Sequence, residues 1–174
     1  DANYLAASSS ATSFTIGKKI LTITAEDKSK LYGATVPTLT YTYAGLVNGD
    51  AEPSTLPAII TTALASSSVD SYPITVSAAA DANYTINYVP GILIVDKIPL
   101  IITAENKTKV YGAANPILTY TYSGLVNGDL ATITWPTIIT TALPNSPVGV
   151  YEIIPSAATD PNYTITYVNA SLTV

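Results

Sequence analysis

The sequence predicts an all-β protein made of tandem copies of one small β-sandwich of immunoglobulin-like character. Three observations predict it. Residues 21–95 lie on residues 100–174 without a gap, at an offset of 79, and 46 of the 75 positions are identical. That self-similarity marks a repeat architecture. Within each copy, apolar and aromatic residues alternate with Thr in short runs bounded by turn residues, the pattern of half-buried strands. The composition is that of strands too: 13 Tyr against one Trp and one Phe, with 11% charged residues where roughly a quarter is usual.

The chain begins with Asp1-Ala2-Asn3-Tyr4, which echoes Asp81-Ala82-Asn83-Tyr84 and Asp160-Pro161-Asn162-Tyr163. Residues 1–19 therefore read as the last hairpin of a preceding repeat, followed by one repeat at 20–97 and another at 98–174. Each repeat is expected to hold six or seven strands. The first is Leu21-Thr22-Ile23-Thr24. The second carries Tyr41 and Tyr43 on one face and Thr40 and Thr42 on the other. Asn48-Gly49 and Asn127-Gly128 are turn signals, because both residue types tolerate positive φ. Residues 46–50 leave room for one helical turn. Strands follow at 58–62 and 72–76, and a final pair at 84–88 and 92–95 is joined by a turn at Pro90-Gly91.

The two copies assign faces to each other. Ile92 and Ile94 become Ser171 and Thr173, whereas Leu93 and Val95 stay apolar as Leu172 and Val174. Ile92 and Ile94 therefore point outward. By the same reasoning Leu21 and Ile23 point inward. Pro73 cannot donate to a ladder, so its strand is expected at an edge or at a bulge. The link Val95-Asp96-Lys97-Ile98-Pro99-Leu100 contains no Gly/Ser-rich spacer, which predicts a semi-rigid rod.

The composition narrows the chemistry. A net charge of −5 with seven Lys+Arg does not suit a nucleic-acid partner. The chain has no Cys and no His, so disulfides, Ser-His or Cys-His nucleophiles and His metal sites are excluded. No run is long enough to insert in a membrane as a helix. Asp50 and Asp129 are expected to cap the Asn-Gly turns. Asp81 and Asp160 are expected to form Asx-type turns. Calcium at these loop carboxylates would need a denser oxygen cluster. No catalytic residue, cofactor or metal is expected.

A few residues invite a second reading. Gly33 and Gly112 mark backbone positions that a side chain would obstruct. Tyr32 and Tyr111 read as packed aromatics with a bonded hydroxyl, or as sugar-stacking groups. Lys30 with Asn83 and Glu26, repeated as Lys109, Asn162 and Glu105, has the residue types of a Lys–Asn isopeptide crosslink; a solvated strand end is the simpler reading. Leu130, Ile133 and Trp135 replace Ala51, Ser54 and Leu56. They form either a larger local core or an interface patch, since aromatics anchor interfaces.

A longer string binds these residues together: Leu100 to Ala104, Lys109 to Gly112, Pro116 to Asp129, Val148 to Tyr151, Asn162 to Tyr167 and Leu172 to Val174. It resembles the MBG domain family of the Tyr-Gly type. The first repeat matches as well, with Asp70-Ser71 in place of Gly149-Val150. The resemblance implies tandem modules of large bacterial secreted or surface-anchored proteins, often adhesins, and no catalytic residues. It keeps a β-grasp-like unit with one short helix open as the alternative fold. The function it implies is a stalk or spacer whose partners are neighbouring repeats. The alternatives are a module that binds glycan or protein, and a subunit that self-associates into a fibre.

Overall fold

The computed structural model describes residues 13–174. Most of the hairpin expected over residues 1–19 lies outside the described residues.

Each repeat forms seven strands. The first holds β1 (Lys19–Ala25), β2 (Lys28–Leu31), β3 (Tyr41–Ala44), β4 (Ala58–Thr61), β5 (Ser71–Ser77), β6 (Tyr84–Val89) and β7 (Gly91–Asp96). The second holds β8 (Ile98–Ala104), β9 (Lys107–Thr108), β10 (Tyr120–Ser123), β11 (Thr137–Thr140), β12 (Val150–Ser156), β13 (Tyr163–Val168) and β14 (Ala170–Thr173). In each repeat a three-stranded sheet, β3-β1-β6 or β10-β8-β13, faces a four-stranded sheet, β2-β7-β5-β4 or β9-β14-β12-β11. The protein is all-β, with no helix among the described residues, so the β-grasp alternative falls.

The core lies between the two sheets. Leu21, Ile23 and Ala25 of β1 meet Ile74 and Val76 of β5 and Leu93 of β7. Leu21, Ile23, Ile74 and Leu93 are fully buried, each contributing roughly 1.5–3 kcal/mol by leaving water. Ile92 and Ile94 face outward at 47% and 46% exposure, as the comparison of copies predicts.

The first and last strands of a repeat are paired in parallel along its whole length. Lys19 pairs with Tyr84 and Thr24 with Val89; Lys28 pairs with Leu93 and Leu31 with Asp96. The offset is 65 throughout, so the register is unbroken while both runs cross from the three-stranded to the four-stranded sheet. The crossing is stitched by Asp27 Oδ1, which accepts from Ile92 N at 2.7 Å, and in the second repeat by Asn106 Oδ1, which accepts from Ser171 N at 2.8 Å.

Three expectations change. Residues 84–88 and 92–95 do not form a hairpin: β6 and β7 lie in different sheets with only Pro90 between them, and β13 and β14 cross in the same way at Asn169. Pro73 sits in β5, an interior strand of its sheet. It is tolerated because the β4 pairing stops at Thr61↔Ile74, so β5 has no β4 partner at Pro73. Residues 46–50 make a tight turn instead of a helical turn. Asn48 and Gly49 take φ of 58° and 85°, and Asp50 N donates to Val47 O at 3.1 Å.

One buried group differs between the copies. Tyr122 Oη lies 3.3 Å from Thr132 Oγ1. The first repeat has Pro53 at the position of Thr132, and Tyr43 Oη is buried without a partner. Burial, with Tyr41 and Glu52 nearby, pushes its pKa up to about 12. A buried unpaired hydroxyl costs about 1–3 kcal/mol. Tyr43→Phe is therefore expected to hold or raise stability, by up to about 1 kcal/mol, whereas Tyr122→Phe lowers it by about 0.5–1.5 kcal/mol. Denaturant unfolding of the two variants checks the opposite signs.

Candidate functional site: the joint between repeats

The Tyr-Gly and Asn-Gly-Asp segments of each repeat stand at its opposite ends. Tyr32-Gly33 follows β2 and closes the lower end. Val47 to Asp50 and the start of β6 form the upper end. Only Lys97 separates β7 from β8, so the lower end of the first repeat is brought onto the upper end of the second.

The upper end is built first. Asn127 and Gly128 take φ of 58° and 82°, and Asp129 N donates to Val126 O at 2.9 Å. This places the Asp129 carboxylate beside the first residue of β13. Tyr163 Oη donates to Asp129 Oδ2 at 2.6 Å and accepts from Val126 N at 3.0 Å. The first repeat repeats this arrangement: Tyr84 Oη donates to Asp50 Oδ2 at 2.6 Å and accepts from Val47 N at 3.0 Å. The aspartates thus act as acceptors for a tyrosine of their own repeat. Asp81 and Asp160 form the expected Asx turns, accepting from Asn83 N at 2.7 Å and Asn162 N at 2.9 Å. Hydrogen bonds from the Ser54 hydroxyl, then from Asn83 N and Ser54 N, hold the Asp81 carboxyl below its ordinary pKa.

The lower end is braced by Lys30. Its Nζ donates to Ala34 O at 3.0 Å and Ala65 O at 2.9 Å, tying the Tyr-Gly loop to a neighbouring loop. Lys30 is buried at 7% exposure, and that burial lowers its pKa. It is not the solvated strand end expected from its polar neighbours, because the loop carbonyls replace water around the ammonium. Nor is it placed for an isopeptide bond: Asn83 sits at the other end of the repeat. Glu26 is engaged by Thr40 and Lys28 at 2.5 and 3.0 Å.

Joined, the two ends interlock. Tyr32 Oη donates to Asp129 Oδ2 at 3.1 Å, so one carboxylate takes hydroxyls from both repeats. The Tyr32 and Tyr163 rings meet edge-to-face at 5.6 Å and 81°, a favoured aromatic geometry. Val69 N donates to Asn162 Oδ1 at 2.9 Å. Gly33 has φ of 79°, and a Cβ there would lie 2.7 Å from Val126 Cγ2. Glycine is thus required twice, by conformation and by the approach of the next repeat. Tyr32 and Val95 join Leu100, Ile102, Ala158 and Tyr163 in one hydrophobic cluster. The repeats therefore share a core at the joint. Burial is the leading cause raising the Tyr163 pKa, with the bond to Asp129 next; at Tyr84 the bond to Asp50 leads.

The Tyr-Gly end of the second repeat is bare among the described residues. Tyr111, expected as a packed aromatic, is 65% exposed. A Cβ on Gly112 would meet nothing within 4 Å. Leu130, Ile133 and Trp135 are exposed too. The larger-core reading of that trio fails, because the loop after the Asn127-Gly128 turn carries all three away from both sheets. No three acidic side chains converge as a metal site would require among the described residues. Sequence reasoning singled out both halves of the joint but not their meeting. Nor did it single out Val69, whose contribution is a backbone N–H and leaves no trace in residue type.

Comparison with known protein families finds the MBG domain (YGX type) twice, at residues 21–94 and 100–173. No curated protein and no solved structure matches the chain. The two matches span nearly the whole of it, and the tyrosine and glycine that close each lower end are the Tyr-Gly of the type. The chain belongs to the MBG domain family, YGX type, as two tandem copies joined end to end.

Proposed function

We propose that this chain is a non-catalytic spacer of a bacterial surface protein, outside the cell, holding a distal adhesive part away from its anchor and carrying tension while it does so. Tandem MBG repeats support a surface-protein module. The observation that carries the reading is the parallel pairing of each repeat's first and last strands. Tension enters a repeat at Lys19 and leaves at Asp96. The paired runs are then pulled in opposite directions along their length. That load falls on the ladder in shear, with ten residue pairs, six in β1–β6 and four in β2–β7, opposing it together. The shared cluster at the joint keeps successive repeats in line.

The test is single-molecule pulling. Stretching through the chain ends is expected to give two unfolding events at forces well above those for handles at Ala58→Cys and Ser77→Cys. Those two residues are partners across the antiparallel β4–β5 pair, and separating them opens that ladder pair by pair. The native chain has no Cys, so the handles are unique. An end-to-end force no higher than the β4–β5 force would sink the tension-bearing reading.

A further inference from the structure

A long strand edge runs open down the side of the second repeat. It belongs to β13, an outer strand of the β10-β8-β13 sheet. Asn162 O accepts from Ile98 N at 3.1 Å, and β13 runs parallel to β8 from that point. Successive residues of a strand turn their backbone groups to opposite sides. Thr164, Thr166 and Val168 therefore aim N–H and C=O at β8, while Tyr163, Ile165 and Tyr167 aim theirs outward. Among the described residues no strand pairs with that outward side, and of its groups Tyr163 N alone finds a backbone partner, Asp160 O at 3.4 Å. Such edges are ordinarily guarded by shortness, charge, Pro or a bulge. The other edge strands of this repeat are short: β10 and β11 have four residues each, and β9 has two, one of them Lys107. β13 has six residues, Tyr-Thr-Ile-Thr-Tyr-Val, with no charge, Pro or Gly. Residues 163–167 are also a palindrome, Tyr-Thr-Ile-Thr-Tyr in either direction.

We propose that β13 pairs antiparallel with β13 of a second copy of this chain, about a two-fold axis at Ile165, so that two three-stranded sheets join into one. The palindrome selects the occupant. A two-fold antiparallel pairing sets residue 163 against 167, 164 against 166 and 165 against itself, so each side chain meets its own kind. Ile165 N and O exchange bonds with Ile165 of the second copy, and Tyr167 N of each copy donates to Tyr163 O of the other. The outward groups of the edge are thereby satisfied. On the outer face Thr164 stands opposite Thr166, a hydroxyl pair of the sort that steadies neighbouring strands. On the inner face Ile165, half-buried at the rim of the cluster around the joint, is covered by its own equivalent. No charge is buried, since β13 carries none. Repeats join through their ends, so this side stays open in an array of any length. The contact is isologous and closes at two copies, with the paired rods running in opposite directions.

Thiol crosslinking reads the contact and its register together, because the chain has no native cysteine. Thr164 and Thr166 are exposed, so substitution there leaves the core untouched. In the proposed register they form a non-hydrogen-bonded pair with Cα atoms about 4.5 Å apart, inside the disulfide range. Two copies of residue 164 would lie diagonally, about 7–8 Å apart, outside it. T164C and T166C, one carrying a size tag, are mixed under a mild oxidant and followed on a non-reducing gel. The mixed dimer is expected to form at least about tenfold faster than either homodimer, since pairing raises the effective thiol concentration in that combination alone. Equal rates overturn the proposal. A charge swap checks association without a covalent bond. In sedimentation the unmodified chain is expected to dimerise as its concentration rises. T164K/T166K and T164E/T166E are each expected to stay monomeric, because like charges then stand opposite each other. Mixing the two is expected to restore the dimer, which also shows that both variants fold. An unmodified chain still monomeric at about 1 mM, a lysine variant that dimerises as the unmodified chain does, or a mixture that stays apart overturns the proposal.

Discussion

Replacing Tyr163 with Ala is expected to cost about 3–5 kcal/mol, the usual loss on truncating a buried aromatic, and to uncouple the two repeats. Tyr163 is only 2% exposed. Its ring lies in the cluster that both repeats share, against Tyr32 of the neighbouring repeat. Its hydroxyl closes the Val126–Asp129 turn. Truncation opens a cavity at the joint, frees the turn and leaves Tyr32 without its aromatic partner. Denaturant unfolding should then separate into two transitions where the native chain unfolds with its repeats coupled. Tyr163→Phe keeps the ring and loses the bond to a carboxylate, so about 1.5–3 kcal/mol is expected. Tyr84→Ala removes the same turn closure and an equally buried ring, 3% exposed, but lies outside the joint between the two repeats. It should cost a similar amount and leave the coupling intact. If both alanine variants uncouple the repeats alike, the joint contributes nothing beyond the fold of each repeat.

Leu93→Ala is expected to cost about 2–5 kcal/mol and to lower the force at which the first repeat yields. Leu93 is fully buried and stands in β7 between β2 and β5, paired with Lys28 and Tyr72. The residue therefore fills the core and anchors the strand that bears the shear. Ile94→Ala, one residue on, removes a side chain that is 46% exposed and should cost well under half as much. Pulling through the chain ends should show the weaker of the two events shifting downward in Leu93→Ala and hardly at all in Ile94→Ala. Equal losses for the two substitutions would mean that the alternation of faces along β7 does not decide its hold on the core.

Much of this molecule was legible because duplication turns a sequence into its own comparison. The exchange of Ile92 and Ile94 for Ser171 and Thr173, beside unchanged Leu93 and Val95, identified the buried face of a strand that is apolar throughout. Asn48-Gly49 announced a tight turn because positive φ is a property of those residue types themselves. Asp81 announced its Asx turn for a similar local reason. The hairpin expected at Pro90 was wrong because a proline between two strands marks a break in the ladder without saying whether the chain turns back or crosses to the other sheet. Lys30 looked solvated because its chain neighbours are polar, while its spatial neighbours are the carbonyls of Ala34 and Ala65. Trp135 looked like core because of its size, and it is exposed.

The sequence by itself determined the all-β class, the two-copy organisation, the inward faces and the turns. All of these rest on residue type and short-range periodicity, which act within a few positions along the chain. Only the tertiary structure decided that the Tyr-Gly of one repeat meets the Asn-Gly-Asp of the next, with Tyr32 and Asp129 lying 97 residues apart. That contact depends on where two ends of a folded sandwich stand in space, and no local propensity records it.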